Sequence, residues 1–220
     1  MAPRSFLNPK RNPRSALILY TSDEPRFYKD TKMLSKALKG LGIKVITCDL
    51  ITEGEMPLIR FLDWVNNHDG KGHQLILAYF GHGGVDNGRL MTSGLDLTSL
   101  QEHLRDYCDA QALAMMGTCR GGNPLGAVPS NSKAHGDRVV ETLAPCNGKT
   151  LARTRAWLKR IVWQLKGIEP GDTMLARQIA AAVGRHKYKG QVGRMRYLGC
   201  RGFYRKESGE GSIQLVNKLK

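Results

Sequence analysis

No apolar run in the chain approaches the roughly 20 residues that a bilayer-crossing helix requires. Even Leu75 to Phe80 is bracketed by His73 and His82, so a membrane span is not expected. Met1 to Arg14 carries four basic residues and three prolines with no apolar stretch of signal-peptide length behind it; a cytoplasmic setting is expected rather than export. The five cysteines, Cys48, Cys108, Cys119, Cys146 and Cys200, are odd in number and scattered, which suits free thiols in a reducing compartment. No CxxC pair or His/Cys cluster has zinc-ligand spacing, so no metal site is expected. Neither GxGxxG nor GxxxxGK[ST] is complete, which argues against a phosphate-cradling loop. Acidic residues are scarce in one half only. Residues 1–120 hold 15 basic and 13 acidic side chains, whereas the last hundred hold 19 and 6. Such an excess suits an acidic partner or nucleic acid, or is a solvated face. Few aromatics (7%) and no recognised nucleic-acid motif accompany it.

What is present is a soluble globular composition, 41% hydrophobic and 24% charged, in 220 residues, enough for one substantial core. Short apolar runs alternate with amphipathic segments. Ala16–Thr21, Lys44–Leu50, Leu75–Phe80 and Leu113–Met116 read as buried strands. Tyr28–Leu41, Met56–Asn67 and Thr98–Tyr107 read as helices between them. Asn87-Gly88 marks a hairpin turn within Asp86–Ser93. This alternation implies an α/β three-layer sandwich: a mostly parallel central sheet of about six strands with helices on both faces. Gly121–Asp137, rich in Gly, Pro, Ser and Asn, reads as a long exposed loop. Beyond it we expect a strand near Arg138–Leu143, a helix near Leu151–Lys166, a helix over Thr173–Val183 capped by Asp172, and a strand near Arg194–Phe203. The organisation is a basic extension (1–14), a first half (15–120), the loop (121–137) and a basic second half of the same domain (138–220).

Two glycine-flanked polar residues each follow an apolar strand, His82 in YFGHGG and Cys119 in GTCRGG. Functional groups of open α/β sheets gather at the carboxyl ends of strands, so successive parallel strands set both on one rim. An imidazole there can take the thiol proton, and only the thiolate is a strong nucleophile. Gly83 and Gly84 let a substrate carbonyl approach backbone N–H groups without an intervening Cβ, as an oxyanion site requires. Either residue alone is more ordinarily a buried thiol or a turn histidine; the pairing is what points to chemistry.

These motifs resemble those of the caspase-like cysteine peptidases, the superfamily of caspases, metacaspases and paracaspases. Phe80-Gly81-His82-Gly83 resembles the family's histidine motif, and Thr118-Cys119-Arg120-Gly121 its Q-A-C-[RQG]-G cysteine motif. The resemblance in element order covers residues 16 to 122 and weakens after 137. It implies Cys119 as nucleophile, His82 as general acid and base, and the Gly83 and Cys119 amides as oxyanion hole. Gly117 and Thr118 stand where caspases carry Gln-Ala, and the separation of 37 residues between His82 and Cys119 is shorter than the roughly 50 of caspases. Asp23 and Glu24 follow the first strand, a place that in the family helps line the pocket for the residue before the cut, and the resemblance sets Gly117 beside it. The two carboxylates favour arginine or lysine there, while Arg26 in the same loop keeps aspartate as the alternative. The plainer reading is that Asp23 and Glu24 begin the next helix. Cys146 stands where some metacaspases have a second cysteine near the cleft; otherwise it is a core or loop thiol. Self-cleavage at Lys133 or Arg138 would separate the halves. The resemblance implies a protein or peptide substrate and no required cofactor, with calcium and homodimerisation open as triggers. Rival readings are a catalytically silent adaptor of the same fold and a nucleic-acid binder using the basic half.

Overall fold

The computed structural model of the protein describes residues 13–53, 56–92, 94–118, 139–145, 154–184, 190–192, 195–197, 203–208 and 213–217. The chain runs β1 (Arg14–Tyr20), α1 (Pro25–Gly40), β2 (Lys44–Asp49), α2 (Met56–His68) and β3 (Gln74–Phe80). A small meander of β4 (Gly84–Asp86), β5 (Arg89–Thr92) and β6 (Leu95–Asp96) leads into α3 (Leu97–Asp106) and β7 (Gln111–Gly117). The second half supplies β8 (Val140–Ala144), α4 (Thr154–Lys166), β9 (Thr173–Leu175), α5 (Ala176–Gly184), β10 (Gly190–Val192), β11 (Met195–Tyr197), β12 (Phe203–Ser208) and β13 (Gln214–Val216).

Six strands form the central sheet in the order β12-β8-β7-β3-β1-β2. All neighbours are parallel except β12, which runs antiparallel to β8. The inner strands β1 and β3 are buried almost throughout because helices cover both faces, which is why their sequences are apolar runs rather than alternations. One face packs against α1, α4 and α5 through Leu34, Leu38, Leu158, Ile161 and Ile179. The other packs against α2 and α3 through Phe61, Trp64, Leu100 and Leu104. The expected sandwich is therefore what the chain forms, and its first core joins residues of both halves. Among the described residues, no helix is long and apolar enough to cross a membrane.

Two local expectations are corrected. Thr173–Leu175 does not open a helix; it pairs antiparallel with β13, and α5 begins only at Ala176. The side chain satisfying the start of that helix is Gln178, which accepts from the Leu175 amide at 2.8 Å, rather than Asp172. The sixth strand of the sheet lies at Phe203–Ser208, whereas Met195–Tyr197, within the stretch expected to supply it, pairs with β10. Both corrections depend on partners distant in sequence, which local periodicity does not report. Arg14, placed at the edge of the basic extension, is the first residue of β1 and is buried, donating to the carbonyls of Leu41 and Val216.

Asp30 on α1 is 1% exposed, and neither carboxyl oxygen has a hydrogen-bond partner; Arg155 Nε of α4 lies 3.6 Å away. Burial pushes its pKa up, opposed by the charges of Arg155, Arg26 and Lys159. A carboxyl raised in the folded state binds its proton more tightly there than in the unfolded chain. Its contribution is full below the unfolded pKa and is lost as pH rises through the folded one. Denaturant midpoints of wild type and Asp30→Asn, measured from mildly acidic to neutral pH, should diverge with rising pH in favour of the variant. Parallel curves would show that Asp30 carries no such linkage.

Candidate active site

The carboxyl rim of the sheet assembles three consecutive strand ends, β1, β3 and β7. Phe80 pairs in register with both Tyr20 and Gly117, so the segments beginning at Thr21, Gly81 and Thr118 leave the sheet side by side. The loop after β1 is fastened by Asp49 at the end of β2, whose Oδ1 accepts from the amides of Ser22 (3.2 Å) and Ile51 (3.1 Å). The Thr21 amide donates to the Phe80 carbonyl at 3.1 Å and locks the loop to the histidine segment.

This brings Glu24 to His82 across 58 residues, with Nε2 and Oε1 at 2.5 Å. Glu24 occupies the N-cap position of α1 but makes no side-chain cap bond. Its carboxylate is turned outward to His82 and to Arg26, whose Nε lies 2.5 Å from Oε2. A helix normally gains about 1 kcal/mol from a capping side chain, and a sequence that forgoes a local rule of this kind commonly does so at a functional site. A carboxylate only accepts, so the contact assigns the hydrogen to Nε2 and leaves Nδ1 bare in the neutral ring. Phe27 holds the ring edge-on, centroids 5.2 Å apart at 89°. The imidazole itself is 61% exposed. Asp23 is exposed on the same loop, its Oδ1 accepting from the Glu24 amide at 3.1 Å.

The backbone beneath His82 is equally fixed. Tyr79 is fully buried, and its hydroxyl donates to the His82 carbonyl at 2.5 Å while also meeting Thr92 Oγ1 at 2.5 Å. Burial pushes that phenol above its ordinary pKa, so it stays a donor. The phenol lies where a Cβ on residue 81 would fall, which requires Gly81. A Cβ on Gly83 would lie 2.5 Å from Thr118 Oγ1, and one on Gly117 would enter the Phe80 ring. Thr118 is 0% exposed, its hydroxyl without a partner. Gly117, expected beside the substrate pocket, is thus buried under Phe80 and serves the close approach of β3 and β7. On the outer side of His82, a cleft of about 330 Å³ opens between Gly83–Asp86 and the Met91–Thr92 strand.

Of the expected site residues, His82, Gly83, Glu24 and Asp23 gather on this rim. Cys119, the residue after Thr118, lies outside the described residues, as do Cys146, Lys133 and Arg138. The two cysteines that are described are buried in the core. The Cys48 thiol is pushed up to about 12 by burial first and by Glu53 next, so it is no nucleophile at neutral pH. Sequence reasoning missed Phe27, Tyr79, Thr92 and Asp49. The first three are apolar or hydroxylic residues with no local motif, and Asp49 reads as the polar end of a strand. Among the described residues, no group of three or more His, Cys, Asp or Glu could hold a metal ion.

No family model matches the sequence, and no curated protein does. The fold is similar to that of the Drosophila initiator caspase Dronc, at 14% identity and a TM-score of 0.53, covering 89% of this chain and 80% of that one. It is similar also to protein GSU0716 from Geobacter sulfurreducens, at 16% identity and a TM-score of 0.57, covering 90% and 95%. The chain has a caspase-like fold.

Proposed function

We propose that this chain is a cysteine endopeptidase of the caspase-like kind, cutting after arginine or lysine. The observation that carries the reading is the convergence of strand ends: Gly83 passes against Thr118, the residue bonded to Cys119, while His82 beside it is held by Glu24. Cys119 follows Gly117 by the same two residues by which His82 follows Phe80, its register partner.

In the proposed reaction, His82 takes the Cys119 thiol proton and the sulfur attacks the scissile carbonyl carbon. The Gly83 and Cys119 amides stabilise the resulting oxyanion. Collapse expels the amine, which takes its proton from the imidazolium. Water, giving a proton to His82, then hydrolyses the thioester and restores the thiol. Glu24 is a positioning residue that keeps His82 in the Nε2–H tautomer with Nδ1 toward the nucleophile. Asp23, exposed on the same loop, is left to meet a basic substrate side chain.

An electrophilic peptide carrying arginine at the reacting position tests this by intact mass and peptide mapping. One label should appear, on Cys119, faster than with the aspartyl analogue. Wild type, but not Cys119→Ala, should also show cuts after Lys133 or Arg138. No labelling at all would favour the silent adaptor, and labelling of Cys146 would reassign the nucleophile.

A further inference from the structure

The fold sorts charge by face. Counted along the sequence, the first 120 residues are nearly neutral and the basicity looks C-terminal. The structure redistributes it, because α1 from the first half and α4 from the second pack against each other on the same side of the sheet. Helix α1 holds five cations, and its one acid is the buried Asp30. Lys29, Lys32, Lys36 and Lys39 are all exposed. Helix α4 holds four cations and no acid, with Arg155, Lys159 and Lys166 exposed, and α5 adds Arg177 and no acid. This layer therefore carries ten cations against one buried carboxylate. The opposite layer, α2 and α3, carries Arg60 and Arg105 against Asp63, Glu102 and Asp106. The surface acids bordering this layer are Asp23 and Glu24 just before α1, the latter paired with Arg26, and Glu169 and Asp172 in the turn beyond α4.

In the middle of the basic face stands Trp163, 73% exposed. Lys159 precedes it by one turn and Lys166 follows by three residues, so all three share one side of the helix. A tryptophan left in water among lysines makes no contribution to the core, whereas Trp157, Leu158, Ile161 and Leu165 on the inner side of α4 are spent there. That distribution separates the classes of polyanion. A membrane surface needs an apolar helix face, which α4 has already buried. An acidic peptide would use the charges but has no call on a single planar ring. A single-stranded nucleic acid uses both, phosphates on the lysines and a base stacked on the indole.

We infer that the α1/α4 face binds single-stranded nucleic acid, with Trp163 as its stacking platform. The site is remote from peptide hydrolysis in its chemistry and stands whether or not the peptidase reading does.

The test is a titration of the full chain with a mixed-sequence DNA strand of roughly 20 nucleotides, read by probe anisotropy and by tryptophan emission. Trp64 and Trp157 are buried, so Trp163 reports. Binding should quench the emission and weaken linearly in log–log against salt, at about 0.7 per phosphate contact. Lys36→Glu with Lys159→Glu should weaken it at least about tenfold and flatten the slope by about 1.4, two contacts at about 0.7 each. Trp163→Ala should cost about tenfold and abolish the quench while leaving the slope. Arg60→Glu on the opposite layer should change little. The inference is overturned by absence of binding at about 50 mM salt, by equal loss from Arg60→Glu, by an unaffected Trp163→Ala, or by tighter binding of polyglutamate or phosphatidylserine vesicles than of the strand.

Discussion

Replacing His82 with alanine should reduce peptide hydrolysis by at least about 10³-fold, and Cys119→Ala should do the same, with the double variant no worse than either. The non-additivity is the informative part. Two groups that pass one proton between them act as a unit, so removal of the first leaves the second nothing to do. The fold should survive the histidine change, since the ring is 61% exposed and its packing consists of an edge contact with Phe27. Thermal midpoints of wild type and His82→Ala within a degree or two of each other would separate lost chemistry from lost structure. Multiplicative losses, with the double variant far below both singles, would mean that the two residues serve separate steps. Retained turnover in Cys119→Ala would remove the mechanism altogether.

The parts of this arrangement that sequence conveys are those whose cause is local. Asn87-Gly88 announces its turn because both residues must take positive φ, and they do, at 46° and 78°. The strand ends at Phe80 and Gly117 are legible because a fully buried parallel strand needs an unbroken apolar run. Gly117 shows where legibility stops: the resemblance sets it beside the substrate pocket, but nothing local in the sequence announces that a Cβ there would enter the Phe80 ring of an adjacent strand. Glu24 likewise reads as a helix start, and only the crossing of β1 beside β3 brings it to His82. The charge of α1 is visible residue by residue, yet its meaning depends on α4 being its neighbour. Thr173–Leu175 alternates too briefly to declare itself without β13. In each case the missing information is a contact between residues far apart in the chain, set by topology rather than propensity.

Glu24 and Asp23, adjacent in sequence and alike in charge, should fail differently. Glu24 touches the imidazole, so Glu24→Ala should lower kcat by roughly 10²-fold with KM for an arginyl peptide nearly unchanged. Glu24→Gln should be milder, because an amide oxygen can still accept from Nε2–H, though an amide can also turn its nitrogen inward and favour the other tautomer. Nitrogen-15 shifts of the His82 ring should accordingly move from an Nε2–H pattern toward a mixture in both variants, in the Cys119→Ala background, where no turnover is needed for the reading. Asp23 touches no part of His82, and its carboxylate faces solvent on the same loop. Asp23→Lys should therefore spare the tautomer and kcat while raising KM for arginyl peptides by about tenfold or more, since a cation now meets a cation. If instead Glu24→Ala raises KM and leaves both kcat and the ring nitrogens as they were, Glu24 is the substrate's partner and its contact with His82 is a bystander. The competing guanidinium of Arg26 sharpens the distinction. A substrate arginine that sought Glu24 would have to displace one already 2.5 Å away, whereas one that sought Asp23 would not.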